Sequence, residues 1–126
     1  MAWKRITALA LLATCTDESF TGYGTGRYIL HEIDGTTYGA NAVLELGEDG
    51  AISGEAPCNL FSGALKSPYP WFEVGPLAVT RRACPHLGEE QVFFASLEEM
   101  TLAEVSEGVL ILSNEAGREM VFHREP

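Results

Sequence analysis

The sequence predicts an α+β domain that is mainly antiparallel β: a small, strongly curved sheet or barrel of about eight short strands, with one amphipathic helix packed on it. The main observation is that short apolar runs alternate with polar residues and are separated by turn residues such as glycine and asparagine. One segment in the second half of the chain follows helical spacing instead. The length of 126 residues and the apolar content of 46% fit a single domain.

Residues 1–14 are predicted to be a secretory signal peptide. Lys4 and Arg5 give a cationic start, and the nine residues 6–14 that follow carry no charge. Nine helical residues rise only about 13.5 Å, against a hydrocarbon core of roughly 30 Å, so this run does not predict a membrane span. Its end, Leu12-Ala13-Thr14-Cys15, resembles the lipobox of bacterial lipoproteins, which implies lipidation of Cys15. The alternative is an ordinary cleaved signal with an incidental cysteine.

The segment 15–26 is predicted to consist of the lipidated cysteine and a flexible tether. It is polar, rich in glycine and without periodicity, which is typical of a spacer. Its alternating glycines also occur in phosphate-binding loops, but such loops follow a strand and open a helix, and neither pattern is present here. The folded domain is therefore predicted to span residues 27–126.

Strands and turns alternate through most of this domain. Asp49-Gly50 predicts a tight hairpin between two of the runs, because glycine supplies the positive φ that the turn requires. Residues 114–117 predict a second hairpin near the end of the chain. The predicted strands are residues 28–33, 42–46, 51–54, 60–66, 71–74, 77–80, 109–112 and 119–123.

One helix is predicted over residues 89–100. Phe93, Leu97 and Met100 recur at helical spacing and are expected to face the core. Acidic residues occupy the first turn, where the helix dipole favours them. The pairs Glu89-Glu90 and Glu98-Glu99 are expected to form a solvated face.

The charge and the absence of catalytic motifs exclude several classes of function. A formal net charge of −10 argues against nucleic-acid binding and against docking on anionic lipid headgroups. The sequence has no Gly-x-Ser-x-Gly elbow, no His-Glu-x-x-His motif and no phosphate loop that leads into a helix. His31, His86 and His123 are scattered along the sequence. We therefore expect no enzymatic activity, no metal and no other cofactor.

The cysteine count supports export. If Cys15 carries lipid, Cys58 and Cys84 remain to pair with each other in an oxidising compartment. Such a disulfide closes a loop whose entropy corresponds to about 3.6 kcal/mol. Two alternatives stay open, namely free thiols and a metal-binding or redox-active pair assisted by His86.

Two motifs in the middle of the chain resemble the META domain, the HslJ-like family of heat-inducible bacterial envelope proteins. The first motif has the form Gly-x-x-x-Cys-Asn-x-Phe-x-Gly and consists here of Gly54, Cys58, Asn59, Phe61 and Gly63. The second consists of Gly75, Pro76, Leu77, Ala78, Thr80, Arg81, Ala83 and Cys84. The resemblance covers roughly residues 27–124, and Tyr28 departs from it because tryptophan is frequent at that place.

The resemblance implies an antiparallel β fold with one helix and no enzymatic activity. Family members are linked loosely to heat stress, antibiotic tolerance, secretion and motility. No catalytic residue is carried over, because none is established for the family.

Several motif residues have more than one interpretation. Asn59 is expected to hold a backbone bend, and the alternative is that it faces a ligand. Arg81 and Arg82, with Trp71, are a possible binding surface, since arginine suits bidentate contacts with carboxylates or phosphates. The alternatives are an internal salt bridge for the arginines and a place at the rim of the core for the aromatic residue.

These observations predict a lipid-anchored, stress-related protein on the periplasmic side of the bacterial envelope, at the outer membrane. It is expected to be a monomer that contacts the membrane through its lipid and binds an envelope protein partner. One alternative is an acidic inhibitor of a cationic enzyme such as lysozyme, which electrostatic steering would favour. The other is a pilot-like chaperone for secretion or assembly, which requires an apolar groove.

Overall fold

The computed structural model describes residues 21–126 of the chain, so the predicted signal peptide and Cys15 lie outside the described residues. The strands are β1 (Gly26–Ile33), β2 (Thr36–Thr37), β3 (Val43–Leu46), β4 (Ala51–Glu55), β5 (Leu60–Ala64), β6 (Ala78–Val79), β7 (Leu102–Ser106), β8 (Val109–Ser113) and β9 (Glu119–Arg124). The helix α1 spans Leu87–Glu99, and single turns of 3-10 helix span Thr21–Tyr23 and Glu48–Gly50.

The strands form one antiparallel sheet in the order β6-β5-β4-β3-β1-β9-β8-β7, with β2 paired to β1. The sheet is strongly curved and is not closed, which confirms the α+β class and decides against the barrel. Residues 70–75 run from the end of β5 to the start of β7, at the other edge of the sheet. The N–H of Lys66 donates to the carbonyl of Glu73 at 2.8 Å, and the N–H of Phe72 donates to the carbonyl of Thr101 at 2.8 Å.

Both predicted hairpins are present. Gly50 has a φ of +82°, and the turn joins β3 to β4. In the second turn, Asn114 Oδ1 accepts bonds from the N–H groups of Ala116 and Arg118, each at 3.0 Å. This Asn side chain replaces a backbone partner and fixes the register of β8 against β9.

The predicted strands differ from the structure in four places. Strands β2 and β7 were not predicted. The signal that was missed for β7 is the turn Glu107-Gly108, in which both residues have a positive φ and which joins β7 to β8. The predicted strand 71–74 makes only isolated pairs, Leu65 with Val74 and Trp71 with Leu102. The predicted strand 77–80 is reduced to the two residues of β6.

The folded domain begins earlier than predicted. Tyr23 is 2% exposed, and its ring packs edge-on against Tyr69 with ring centroids 5.2 Å apart. Its hydroxyl, a single donor, lies within hydrogen-bond reach of the carbonyls of both Ser67 and Trp71. Burial, with a contribution from Tyr69, raises the pKa of Tyr23 to about 12. The prediction of a flexible tether is therefore wrong for residues 21–26, because an aromatic anchor docks them on the sheet.

The core lies between the concave face of the sheet and α1. Phe93 and Leu97 are fully buried and Met100 is 2% exposed, as their helical spacing predicts. The ring of Phe61 on β5 lies 5.7 Å from that of Phe93 and 5.3 Å from that of Phe94. These aromatic contacts seat the helix directly over the first motif.

The hydroxyl of Tyr28 leads to a stability prediction. Tyr28 is fully buried, and its hydroxyl has no hydrogen-bond partner among the described residues. Because an unpaired buried hydroxyl is costly, Tyr28→Phe is expected to leave the free energy of unfolding unchanged or raise it by about 1 kcal/mol. Urea unfolding measures the change.

The matched variant Tyr38→Phe removes a hydroxyl that donates to the Glu89 carbonyl at 2.6 Å, and its free energy of unfolding should fall by about 1 kcal/mol. A larger loss for Tyr28→Phe than for Tyr38→Phe would contradict the assignment.

A second prediction concerns acid stability. The guanidinium of Arg118 and the N–H of Glu119 bond to Asp34 and hold the pKa of its carboxyl below the ordinary value of 3.8. A depressed folded pKa means that this contribution to stability is present above the unfolded pKa and is lost as the pH falls through the folded pKa. In an NMR titration, Arg118→Gln should move the Asp34 midpoint upward. Arg81→Gln, which changes a distant arginine, should leave it in place, and an equal shift in both variants would refute the pairing.

Candidate functional site

The two sequence motifs meet beside the first turn of α1. Asn59 lies between β4 and β5, Thr80 directly follows β6, and Glu90 belongs to the helix. We call these three side chains the polar node. Hydrogen bonds connect all of them, and the disulfide Cys58–Cys84 lies next to them.

Glu90 is a buried carboxylate, only 5% exposed. Its Oε1 accepts bonds from the N–H groups of Cys58 at 2.8 Å and Asn59 at 2.9 Å. Its Oε2 accepts a bond from Asn59 Nδ2 at 2.7 Å. Three bonds to an ionised acceptor compensate for the loss of water, so the helix holds the turn between β4 and β5 through one side chain.

The expectation of a solvated face is therefore wrong for Glu90. Helical spacing contains the signal that was missed, because Glu90 precedes the buried Phe93 by three positions and Leu97 by seven. Because glutamate is charged, Glu90 was expected to face solvent although its spacing places it on the buried face of the helix. Glu89 is partly exposed, and its Oε2 lies 3.7 Å from Nδ1 of His86.

Asn59 uses its whole amide to hold the backbone. Besides the bond to Glu90, Nδ2 donates to the carbonyl of Arg82 at 3.0 Å. Oδ1 accepts bonds from the N–H of Arg82 at 2.6 Å and from the hydroxyl of Thr80 at 2.9 Å. Thr80 Oγ1 in turn accepts a bond from the N–H of Leu60 at 3.0 Å. Both donors and both acceptor positions of the amide are occupied, which agrees with the predicted structural role of Asn59.

The disulfide joins the same two segments. Cys58 and Cys84 are bonded, with Cα atoms 5.6 Å apart across a sequence separation of 26. This confirms the predicted pairing, and neither free thiols nor a cysteine metal pair describe this structure. The covalent link and the polar node together fix the chain that leads from β6 to α1.

Two motif glycines leave room for close packing. A Cβ on Gly54 would lie 1.9 Å from the carbonyl oxygen of Val43 and 2.7 Å from the ring of Phe61. A Cβ on Gly63 would lie 2.8 Å from Leu77 Cδ2. The first motif therefore needs glycine on both sides of Phe61. Gly75 and Pro76 lie in the loop that leads to β6, where the N–H of Gly75 donates to the carbonyl of Ala64.

Arg81 and Arg82 are exposed, and within residues 21–126 neither guanidinium makes an ion pair. Arg27, by contrast, pairs with three carboxylates, and Arg118 pairs with two. The alternative of an internal salt bridge for Arg81 and Arg82 is therefore wrong. The backbone of this pair is held all the same, because Asn59 bonds both the N–H and the carbonyl of Arg82.

The arginine pair borders an exposed apolar edge. Leu60 is 58% exposed and Val79 is 38% exposed. A shallow groove of about 350 Å³ runs along β5 and β6 between these residues. We call Leu60, Val79, Arg81 and Arg82 the arginine edge, since β6 is an edge strand of the sheet.

Trp71 belongs to a different place. It is 58% exposed and pairs with Leu102 at the start of β7. Thr80 bonds Leu60 at the start of β5, whereas the segment that contains Trp71 runs past its end. The length of β5 therefore separates Trp71 from the arginines, and the three predicted residues do not form one surface.

A second groove, of about 530 Å³, lies between α1 and the hairpin of β1 and β2. Its apolar lining includes Ile33, Tyr38 and the 51% exposed Val92. Burial is the main cause that raises the pKa of Tyr38 to about 12, and the charges of Glu89 and Glu90 add to it.

Within 21–126, no group of three or more His, Cys, Asp or Glu side chains is placed to hold a metal ion. No helix of this part of the chain is long and apolar enough to cross a membrane.

The fold and the site define a class of protein: a small domain with an open, curved antiparallel sheet and one helix. A disulfide and the polar node join the two motif segments, and the polar node also bonds them to the helix. The chain belongs to the META domain family, whose family model matches residues 20–126. This confirms the resemblance drawn from the two motifs. No curated protein matches the sequence.

Solved structures share the fold. An NMR structure of a protein from Burkholderia xenovorans has a TM-score of 0.64 at 22% identity, over 91% of this chain and 87% of that one. A second NMR structure has a TM-score of 0.60 at 26% identity, over 79% of this chain and 88% of the other. A crystal structure of a DUF4847 family protein from Bacteroides vulgatus has a TM-score of 0.65 at 11% identity, over 84% of this chain and 94% of that one.

Proposed function

We propose that this protein is a non-enzymatic, lipid-anchored META domain protein of the bacterial envelope, and that it acts in stress by binding other envelope components through the arginine edge. One observation carries the proposal: the guanidiniums of Arg81 and Arg82 are exposed and have no carboxylate partner within residues 21–126, and Asn59 holds the backbone of Arg82. This cationic pair beside exposed Leu60 and Val79 suits recognition of a partner, since the backbone under it is already ordered and binding has to order only the side chains.

The use of the polar groups supports binding over catalysis. Asn59, Thr80 and Glu90 are the polar side chains gathered at the motifs, and they bond each other and the backbone. A general acid, base or nucleophile needs a group within reach of a substrate. The side chains of the polar node instead use their hydrogen-bonding groups to hold the turn between β4 and β5 and the segment after β6.

The chemistry of the arginine edge indicates an anionic partner. The planar guanidinium makes bidentate bonds to carboxylates and phosphates. The chain as a whole has a net charge of −10, so an acidic partner is repelled elsewhere and attracted only at the arginine edge. Charge complementarity would therefore fix the orientation of the complex.

Export and anchoring are supported by the N-terminal residues and by the cysteines. Cys58 and Cys84 are used in the disulfide, which leaves Cys15 for the lipid. Disulfides of this kind persist in an oxidising compartment such as the periplasm. We place the protein on the periplasmic side of the envelope, at the outer membrane, and attribute the stress role to the family resemblance.

Cell fractionation tests the anchor. Wild-type protein should sediment with the membrane, and Cys15→Ala should appear in the soluble fraction. Cys58→Ala/Cys84→Ala serves as the control, because it removes cysteines but keeps Cys15 and should stay with the membrane. A Cys15→Ala protein that sediments like the wild type would refute lipid anchoring.

In-cell photo-crosslinking tests the binding surface. A photoreactive amino acid at Leu60, whose side chain is 58% exposed, should capture one recurrent envelope partner that mass spectrometry identifies. The same group at Val92, exposed to 51% in the separate groove beside α1, is the control and should not capture it. No recurrent partner from Leu60 would contradict the proposal.

The groove beside α1 favours a second candidate, the pilot-like chaperone. Val92 and Ile33 give it an open apolar lining of the kind that such a function requires. Capture from Val92 of a secretion or assembly component, with none from Leu60, would favour this candidate over the first.

A further inference from the structure

His31 and His123, which lie far apart in sequence, are neighbours on the outer face of the sheet. Their imidazole rings stack with centroids 4.1 Å apart and an angle of 22° between planes. Both side chains are exposed. His31, His86 and His123 are scattered along the sequence, but the fold brings two of the three together.

The pairing of β1 with β9 brings the two rings together. On β1 and β9, Ile29 lies opposite His123, and the register shifts between Leu30 and Glu32. His31 is therefore an extra residue on β1, a β-bulge. Ile29 shares a face with His123, and alternation along β1 places His31 on that same face. The bulge sets the position of His31 along β9, between the partners Phe122 and Val121.

The ring nitrogens of both histidines are free to bind. Among the described residues, neither imidazole makes a hydrogen bond or an ion pair, and each has the other ring as its stacking partner. A neutral imidazole offers one lone pair, and the two rings thus present two nitrogen donors to solvent at one place.

We propose that His31 and His123 form a two-imidazole site for a borderline divalent metal ion of the Zn²⁺, Ni²⁺ and Cu²⁺ class. With a metal–nitrogen distance of about 2.0–2.1 Å, a tetrahedral ion requires two nitrogens roughly 3.3 Å apart. The rings are stacked in the structure, so their in-plane lone pairs do not yet converge on one point. Because both side chains are exposed, rotation about their χ angles can open the stack and turn one nitrogen of each ring toward a shared ion.

The site has two protein ligands, and the remaining positions on the ion go to water. This agrees with the finding that no group of three metal-binding side chains exists within residues 21–126. The net charge of −10 raises the local concentration of cations at the surface. By the usual order of affinities for nitrogen ligands, Cu²⁺ should bind most tightly, and Mg²⁺, which prefers oxygen, should not bind.

Isothermal titration calorimetry of the full chain with each metal chloride tests the site. His31→Asn and His123→Asn should each weaken Zn²⁺ binding by about tenfold or more, since each removes one of two ligands. The matched variant His86→Asn changes the third histidine, which lies next to Glu89, and should bind as the wild type does. Cys15→Ser should also bind unchanged.

NMR of the histidine side chains supplies the second readout. Zn²⁺ should shift the ring resonances of His31 and His123 together at one equivalent, and thermal unfolding should show that both variants remain folded, because both residues are exposed. Unchanged affinity in either His31→Asn or His123→Asn, or loss of binding in His86→Asn or Cys15→Ser, would overturn the proposal. The site lies on β1 and β9 and does not depend on binding at the arginine edge.

Discussion

Replacement of Glu90 with alanine is expected to lower the free energy of unfolding by about 4 kcal/mol. The physical reason is that three donors, the N–H groups of Cys58 and Asn59 and the amide of Asn59, lose one ionised acceptor together. Asn59 is only 6% exposed, so water replaces the carboxylate poorly. Urea unfolding followed by circular dichroism measures the loss.

Two variants control this measurement. Glu98→Ala removes an exposed carboxylate from the same helix and should change the free energy by less than about 0.5 kcal/mol. Glu90→Gln keeps the shape but replaces one oxygen with a donor, and should fall between the two. If Glu90→Ala were as stable as Glu98→Ala, the polar node would not hold the two motifs together.

Removal of the disulfide is expected to have the next largest effect. Cys58→Ala/Cys84→Ala should lower the free energy of unfolding by about 3.6 kcal/mol, because the unfolded chain regains the freedom of a loop with a sequence separation of 26. The same urea experiment measures it, and reduction of the wild type with dithiothreitol should reach a similar value.

The double alanine variant, treated with and without dithiothreitol, provides the control. Dithiothreitol should have no effect on the double alanine variant, since the only bonded cysteine pair of the described chain is gone. A wild-type protein whose unfolding midpoint does not move on reduction would show that the link contributes nothing to stability.

Local sequence patterns predicted most of the fold. Alternation placed β1, β3, β4, β5, β8 and β9, and glycine or asparagine marked the hairpins that join β3 to β4 and β8 to β9. Phe93, Leu97 and Met100 defined the buried face of α1 by spacing alone. These elements were predictable because each carries its own periodicity and its own turn residues.

The features that escaped prediction depend on contacts distant in sequence. Tyr23 becomes part of the domain only because Tyr69, far along the chain, receives its ring. An isolated segment does not reveal such a partner. Strand β7 is a different case, because its partner β8 is adjacent in sequence across the turn Glu107-Gly108, and only its junction with the helix lacks a turn residue.

The candidate site was only partly predictable, because some of its residues belong to local motifs and others meet only in the folded chain. The motif residues and the pairing of Cys58 with Cys84 were identified, and the structure joins the two motifs as expected. Glu90 was missed because a carboxylate at the start of a helix usually faces solvent. The proximity of His31 and His123 depends on the pairing of β1 with β9, two strands far apart in sequence, so no local pattern indicates it.

The central claim is that the protein acts by binding through the arginine edge. The most direct measurement is the yield of the partner crosslinked from Leu60 in two charge-reversal variants, Arg81→Glu and Lys66→Glu. Both change the charge by the same amount at exposed residues, but only Arg81 lies on the arginine edge. The account predicts that Arg81→Glu loses most of the crosslinked partner while Lys66→Glu keeps it. Equal yields from both variants would contradict the account.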